Sequence, residues 1–136
     1  MLLTTCSLGL GELRSSNSTP RKHSQRQIKK AKELFAKQSI VVPIIVDEHH
    51  YIIDGHLRFM MARELGIENL NAVVVSEAST AEIVELELAL NRLGEDSSWD
   101  EARLKEKLEQ LLEFKVDLSF TGFEQAEIDK TLHFEI

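Results

Sequence analysis

The chain has little of several residue types on which particular protein classes depend. Its 136 residues include one cysteine (Cys6), two prolines, one tryptophan and one tyrosine. A single cysteine rules out an internal disulfide and is typical of a reducing compartment. The longest nearly apolar run, residues 40–46, is far too short to cross a bilayer as a helix. The N-terminus lacks the basic and long apolar segments of a signal peptide, so the sequence predicts a cytoplasmic location and no membrane partner.

Common cofactor motifs are also missing. The sequence contains no Cys-x-x-Cys, no His-Glu-x-x-His and no P-loop glycine pattern. His49 and His50 are adjacent at the end of an expected strand, where neighbouring side chains point to opposite sides, so we do not expect them to share a metal. Zinc sites and P-loop nucleotide sites of the standard kinds are therefore excluded.

What the chain does contain is an ordinary globular composition with unevenly placed charge. It is 43% hydrophobic and 29% charged, which is typical of one soluble domain. The net charge is −7, yet the segment from Arg14 to Lys37 holds eight Lys or Arg residues and one acid, Glu33. A basic segment within an acidic protein marks where an anion docks, although a solvated helix face explains it equally well.

Hydrophobic periodicity and turn residues predict an α+β or α/β fold in the order β-α-β-β-α-β, followed by helices, and we adopt α+β. The predicted strands lie within residues 8–13, 40–46, 51–53 and 71–75, and the predicted helices lie at about 24–37, 55–65, 79–90, 98–114 and 121–132. Ser24, Ser79 and Ser98 each begin a capping box. Trp99 is expected to pack on the core. We expect residues 1–78 to form an α/β core and residues 79–136 a helical C-terminal extension of the same domain.

The turn from the third strand into the second helix concentrates reactive groups: Asp54, Gly55, His56 and Arg58. Glycine lets a ligand approach the main chain closely, and the first amides of a helix are a natural seat for phosphate. Arg58 can donate two hydrogen bonds to phosphate oxygens, and His56 can shuttle a proton near neutral pH. Asp54 has three alternative roles, namely binding a metal, orienting His56 or capping the helix.

A second basic cluster lies beside another expected helix start. Arg21, Lys22 and His23 directly precede Ser24, the expected N-cap. If the fold brings the two helix starts together, they form one site for a polyanion. Near the end of the third helix, Asn91 and Arg92 are either ligand-binding residues or ordinary surface residues of a last turn.

These segments together resemble the ParB/sulfiredoxin superfamily. The resemblance is carried by Thr19-Pro-Arg-Lys-His-Ser24, by Ile53-Asp-Gly-His-Leu-Arg58 and by Leu90-Asn-Arg-Leu93. More narrowly, the chain is similar to the ParB-like N-terminal "nuclease" domains of phages, plasmids and ParB-fused DNA methyltransferases. In that branch, Asn-Pro-Arg-x-His-Ser precedes an apolar strand pair, and Gly-His-x-Arg leads into a helix. The likeness extends over nearly the whole chain.

The resemblance implies a small mixed sheet with flanking helices and a site for ATP or CTP with Mg²⁺. The phosphate-binding residues that it and the two basic clusters indicate are Gly55, His56, Arg58, Pro20, Arg21, Lys22, His23, Ser24, Asn91 and Arg92. His56 and Asp54 are the candidate catalytic residues, and Asp54 is the candidate metal ligand. Sulfiredoxins carry a cysteine where this chain has His56, so peroxiredoxin repair is excluded.

Three functions stay open at this point. The first is a Mg²⁺-dependent nucleotide-binding domain that works with DNA in partition, modification or cleavage, either as an NTPase or as a nuclease. The second is a non-catalytic phosphate- or DNA-binding module whose C-terminal helices pair with another copy or another protein. Leu90 favours this second function, because the family has a glutamate at that position. The third is a small-molecule kinase, for which the sequence shows no catalytic glutamate.

Overall fold

The computed structural model describes residues 1–16, 19 and 21–134 of the chain. Within them the elements follow in the order β1 (Leu2–Gly9), α1 (Gln25–Gln38), β2 (Ile44–Asp47), β3 (Ile52–Asp54), α2 (His56–Glu64), β4 (Asn69–Ser76), α3 (Thr80–Glu95), α4 (Glu101–Glu113) and α5 (Gln125–Leu132). This confirms the predicted α+β class and the predicted order. No helix in the described ranges is long and apolar enough to span a membrane.

The four strands form one mixed sheet in the order β1-β4-β2-β3. Strand β4 pairs antiparallel with β1 and parallel with β2, and β2 forms an antiparallel hairpin with β3. The core lies on this sheet, where Ile44, Val46 and Ala72 are fully buried, as are Met61 and Ala62 of α2. Burying these apolar side chains in the centre of the sheet stabilises the frame that positions the β3–α2 turn.

Residue contacts divide the chain into two compact units, Met1–Glu95 and Asp96–Ile136. The first unit contains the sheet and also α3, which contacts β3. The second contains α4 and α5, which pack together around buried Leu104, Leu108 and Ile128. The division therefore falls after α3, whereas the sequence suggested a boundary at residue 78, before it.

Several local expectations need correction. The first strand covers Leu2–Gly9, and residues 10–12 form a 3₁₀ turn instead of continuing it. Helix α4 is capped by Asp100, whose carboxylate accepts from the Arg103 amide, and not by Ser98. Trp99 is 63% exposed and its ring lies 5.0 Å from that of Phe123 within the second unit, so it is not a core residue.

Of the other two predicted capping boxes, the one at Ser79 is complete and the one at Ser24 is half formed. At Ser79 the full capping box is present, since its amide donates to Glu82 Oε1 at 3.0 Å and the Glu82 amide donates to Ser79 Oγ at 3.2 Å. At Ser24 only half is present: its hydroxyl accepts from the Gln27 amide at 3.0 Å, but the Gln27 side chain contacts His23.

Candidate anion-binding cavity

The turn from β3 into α2 is fixed by Gly55. Its φ of +106° lies in the left-handed region, and a Cβ there would come within 2.6 Å of Ile44 Cγ2 on the neighbouring strand β2. A side chain at residue 55 would therefore be strained and would collide with the core. Glycine lets the main chain pass close to Ile44 and start α2 at His56, whose first amides have no partner within the helix.

Arg58 is partly anchored and partly unsatisfied. Its Nη2 donates to Asp54 Oδ2 at 3.0 Å and to the Pro43 carbonyl at 3.1 Å. Its side chain is only 21% exposed, and Nε is buried without a hydrogen-bond partner among the described residues. An unpaired buried donor costs free energy, and an anion that reaches Nε would recover it.

His56 is the second unsatisfied group. Both ring nitrogens are buried and lack a hydrogen-bond partner in the described part of the chain, so Asp54 does not orient this ring. Burial lowers the pKa of His56; the Asp54 charge opposes this shift, and His23 adds to it. The ring is therefore neutral near pH 7 and offers one donor and one acceptor to a ligand.

His56 and Arg58 both line a cavity of about 210 Å³. Its wall includes Asp54, Gly55, His56 and Arg58 from the β3–α2 turn, Arg21 and His23 from the segment before α1, and Asn91 from α3. Residues from both predicted clusters thus line one space. Asn91 is held by a 2.8 Å hydrogen bond from its Nδ2 to the Glu87 carbonyl, and His23 by a 3.0 Å contact with Gln27 Oε1.

Other predicted site residues lie away from this wall. Lys22, Ser24 and Arg92 are not among the residues lining the cavity, and Pro20 lies outside the described residues. Ser24 serves as the N-cap of α1, which occupies its hydroxyl.

Glu95, which the sequence did not indicate, joins two of the predicted basic residues. Its Oε1 accepts from Arg21 Nη1, and its Oε2 accepts from Arg92 Nη1 at 3.1 Å. The contact with Arg92 is local, because the two residues are three apart on α3. The contact with Arg21 spans most of the first unit and depends on α3 extending to residue 95. Of these two contacts, the sequence alone indicates only the local one, through the i, i+3 spacing of Arg92 and Glu95.

A second, less polar cavity of about 290 Å³ adjoins the first and shares Thr19, Arg21, His23 and His56 with it. Its other wall includes Phe59 and Arg63 of α2, and the Arg63 guanidinium carbon lies 5.3 Å from the Phe59 ring centroid. The four shared residues therefore lie between the two cavities.

The side chains of the described residues form no group of three or more His, Cys, Asp or Glu that could hold a metal. Asp54 is the carboxylate on the polar cavity wall, and it is already bound to Arg58. A magnesium ion commonly binds one or two protein carboxylates and takes its other ligands from phosphates and water. The site therefore fits an ion that enters with a phosphate ligand, and it does not fit a resident metal held by protein alone.

Comparison with known proteins identifies the fold. No protein-family model and no curated protein matches the sequence. Among solved structures, the C-terminally truncated chromosome-partitioning protein ParB from Caulobacter crescentus, complexed with CTP-γ-S, superposes with a TM-score of 0.78. The sequences are 13% identical, and the match covers 95% of this chain and 77% of that one.

Two further structures agree. The Caulobacter protein complexed to the centromeric parS site gives a TM-score of 0.51 at 14% identity, covering 93% of this chain and 70% of that one. The N domain of a pNOB8-like ParB gives 0.57 at 15% identity over 84% of this chain, which spans 47% of that one. The chain therefore has the mixed α+β fold of ParB N-terminal domains, and these low identities establish the fold alone.

Proposed function

We propose that the chain is a ParB-like nucleotide-binding domain that works in a DNA-associated process. The observation that carries the proposal is the convergence of unsatisfied and cationic groups on one cavity. Among the described residues, the two ring nitrogens of His56 and the Nε of Arg58 have no hydrogen-bond partner, and Arg21 supplies a second guanidinium on the same wall. The oxygens of a bound phosphate chain would supply hydrogen-bond acceptors and negative charge to these groups.

In this proposal the phosphates lie against the start of α2. The amides that follow Gly55 carry the positive end of the helix dipole, and Arg58 adds a charge that does not titrate away. ATP and CTP are the two candidate nucleotides. The Caulobacter ParB of similar fold was solved with CTP-γ-S, which makes CTP the first to test. Mg²⁺ would accompany the phosphates, with Asp54 as the carboxylate within the cavity.

Catalysis is the finer part of the proposal. Neutral His56 is placed to accept or donate a proton at the ligand, and the guanidinium groups would stabilise charge on a transferred phosphoryl group. Hydrolysis of nucleotide or of DNA is measured as phosphate release from CTP or ATP and as nicking of plasmid DNA, each with Mg²⁺. If the nucleotide binds and neither product forms, the chain is a binding module.

Arg58→Ala tests the nucleotide site directly. Because a charge-assisted hydrogen bond contributes about 1.5–3 kcal/mol, we expect the variant to bind CTP or ATP more weakly by roughly 10- to 100-fold in titration calorimetry. Arg103→Ala, which removes an exposed arginine of α4, is the matched control. Arg58→Lys keeps the charge but cannot donate two parallel hydrogen bonds, so its affinity for the nucleotide should lie between those of wild type and Arg58→Ala.

Since Arg58 also binds the Pro43 carbonyl, the unfolding midpoint of each variant must be measured alongside. If a folded Arg58→Ala protein keeps wild-type affinity, Arg58 does not belong to the site.

A non-catalytic DNA-binding module is the second candidate, and the charge pattern of α1 favours it. Ala31 is buried on the inner side of the helix, whereas Arg26, Lys29 and Lys37 are exposed on the other side. With a helical period of 3.6 residues these three cations share one face with Lys30 and with one exposed acid, Glu33. This basic stripe (Arg26, Lys29, Lys30 and Lys37) matches a polyanionic backbone. A small-molecule kinase is the third candidate from the sequence, and no catalytic glutamate lines the described cavity wall.

A further inference from the structure

Glu95 holds an arginine that the proposed ligand needs. Arg21 lines the polar cavity, and its Nη1 donates to Glu95 Oε1, while Glu95 Oε2 accepts from Arg92 at 3.1 Å. The three side chains are 45%, 46% and 72% exposed for Arg21, Glu95 and Arg92, respectively. One carboxylate therefore pairs with two guanidinium groups within reach of solvent, and of these two Arg21 lines the cavity.

We infer that Glu95 competes with the ligand for Arg21. A bound oligophosphate would replace the carboxylate on Arg21 and leave Glu95 to Arg92. This inference rests on the proposed function, because it takes the cavity to be a phosphate site. It adds the role of Glu95, which modestly favours a linear oligophosphate over a single phosphate or another small anion.

The preference follows from effective concentration. Glu95 belongs to the same chain as Arg21, so an isolated anion competes with a carboxylate held close by, at an effective concentration in the millimolar range or above. When one phosphate of an oligophosphate is bound at the Gly55 turn, its terminal phosphate is also held close to Arg21. The effective concentration of this terminal phosphate is then comparable to that of the Glu95 carboxylate, whereas that of a single free phosphate is not.

The cost of the exchange is small. Exposed ion pairs contribute about 0–1 kcal/mol, because water screens them and the long side chains lose freedom. Removing Glu95 should therefore raise the affinity of an oligophosphate by a modest factor, about two- to fivefold for a pair of this kind. Repulsion between the Glu95 carboxylate and the anionic ligand also weakens binding, so its removal raises the affinity as well.

The test uses the full chain and inorganic tripolyphosphate in titration calorimetry. Glu95→Gln should bind tripolyphosphate about two- to fivefold more tightly than wild type. Glu85→Gln is the matched control, because it removes the same charge from an exposed position of the same helix. In an Arg21→Gln background the gain from Glu95→Gln should disappear, since the competition is for Arg21.

The outcomes separate the two proposals. If Glu95→Gln and Glu85→Gln bind equally, or if the gain persists without Arg21, Glu95 does not compete for Arg21 and the inference fails while the phosphate site stands. If neither wild type nor Glu95→Gln binds tripolyphosphate, or if binding is unchanged in Arg58→Ala, the proposed function fails and the inference fails with it.

Discussion

At the scale of single residues, the unusual feature is His56, whose buried ring nitrogens have no hydrogen-bond partner among the residues that the structure describes. A neutral imidazole with two unpaired nitrogens contributes little to stability and is costly to protonate. Such a group is expected in a site where a bound ligand supplies the hydrogen-bond partner. The sequence identified His56, Gly55 and Arg58 as a group, because a glycine between a strand and a helix is a local signal. It could not show that Asp54 binds Arg58 instead of His56, since that choice depends on the position of the Pro43 carbonyl beside the arginine.

His56 should make stability depend on pH. Burial lowers its pKa below the usual 6.5, so the unfolded chain takes up this proton at a higher pH than the folded one. Its contribution is therefore complete above pH 6.5 and is lost as the pH falls below that value. In urea unfolding at about pH 7.5 and about pH 5, we expect His56→Gln to lose less stability on acidification than wild type does.

His49→Gln, at the exposed tip of the β2–β3 turn, is the control and should follow wild type. A bound phosphate should raise the pKa of His56, because a nearby negative charge favours the imidazolium. An identical pH dependence in wild type and His56→Gln would contradict this account.

At the scale of elements, helix starts were partly readable from the sequence and partly not. Ser79 and Ser98 have the same pattern, a serine followed three residues later by glutamate. Only Ser79 caps its helix, because Asp100, two residues beyond Ser98, accepts from the Arg103 amide at 3.2 Å and starts α4 later. Two adequate caps in one segment compete, and local pattern alone does not choose between them.

The basic stripe of α1 gives a prediction about duplex DNA. Neutralising three of its cations (Arg26→Gln, Lys29→Gln and Lys37→Gln) should reduce the salt dependence of DNA binding, because each phosphate contact contributes a slope of about −0.9 in log K against log salt. For the triple variant, the slope of log K against log salt should therefore be shallower by up to the contribution of about three phosphate contacts. Fluorescence anisotropy with labelled duplex DNA over a range of salt concentrations measures it.

The matched control removes one arginine and two lysines from the second unit (Arg103→Gln, Lys107→Gln and Lys130→Gln), which keeps the net charge change equal. If both triple variants lose the same slope, the effect is one of net charge and the stripe is not the DNA-binding surface. Because none of these residues lines the described cavity, nucleotide affinity should not change in either variant.

At the scale of the whole molecule, the sequence indicated the class and the order of elements, since each depends on local periodicity. The contact of Arg21 with Glu95 of α3 could not be predicted from the sequence, because it joins residues more than seventy positions apart. Pairing of the chain with another copy through the C-terminal helices likewise stays a prediction, which sedimentation analysis would measure. The second unit does expose apolar side chains of the kind that pairing uses, notably Leu112 and Phe114.

The position of the unit boundary leads to a prediction about truncated chains. Residues 1–95 contain the whole sheet with its buried Ile44, Val46 and Ala72, and also α3, which contacts β3. Residues 1–78 keep the sheet but lose α3, and with it Asn91 of the cavity wall and Glu95. We therefore expect the 1–95 chain to unfold cooperatively in urea, and the 1–78 chain to unfold at a lower midpoint because loss of α3 exposes apolar surface. Hydrogen exchange should place the added protection of the longer chain on β3. Equal midpoints for the two chains would mean that α3 adds nothing to the stability of the sheet unit, and the boundary at residue 78 would then be the better one.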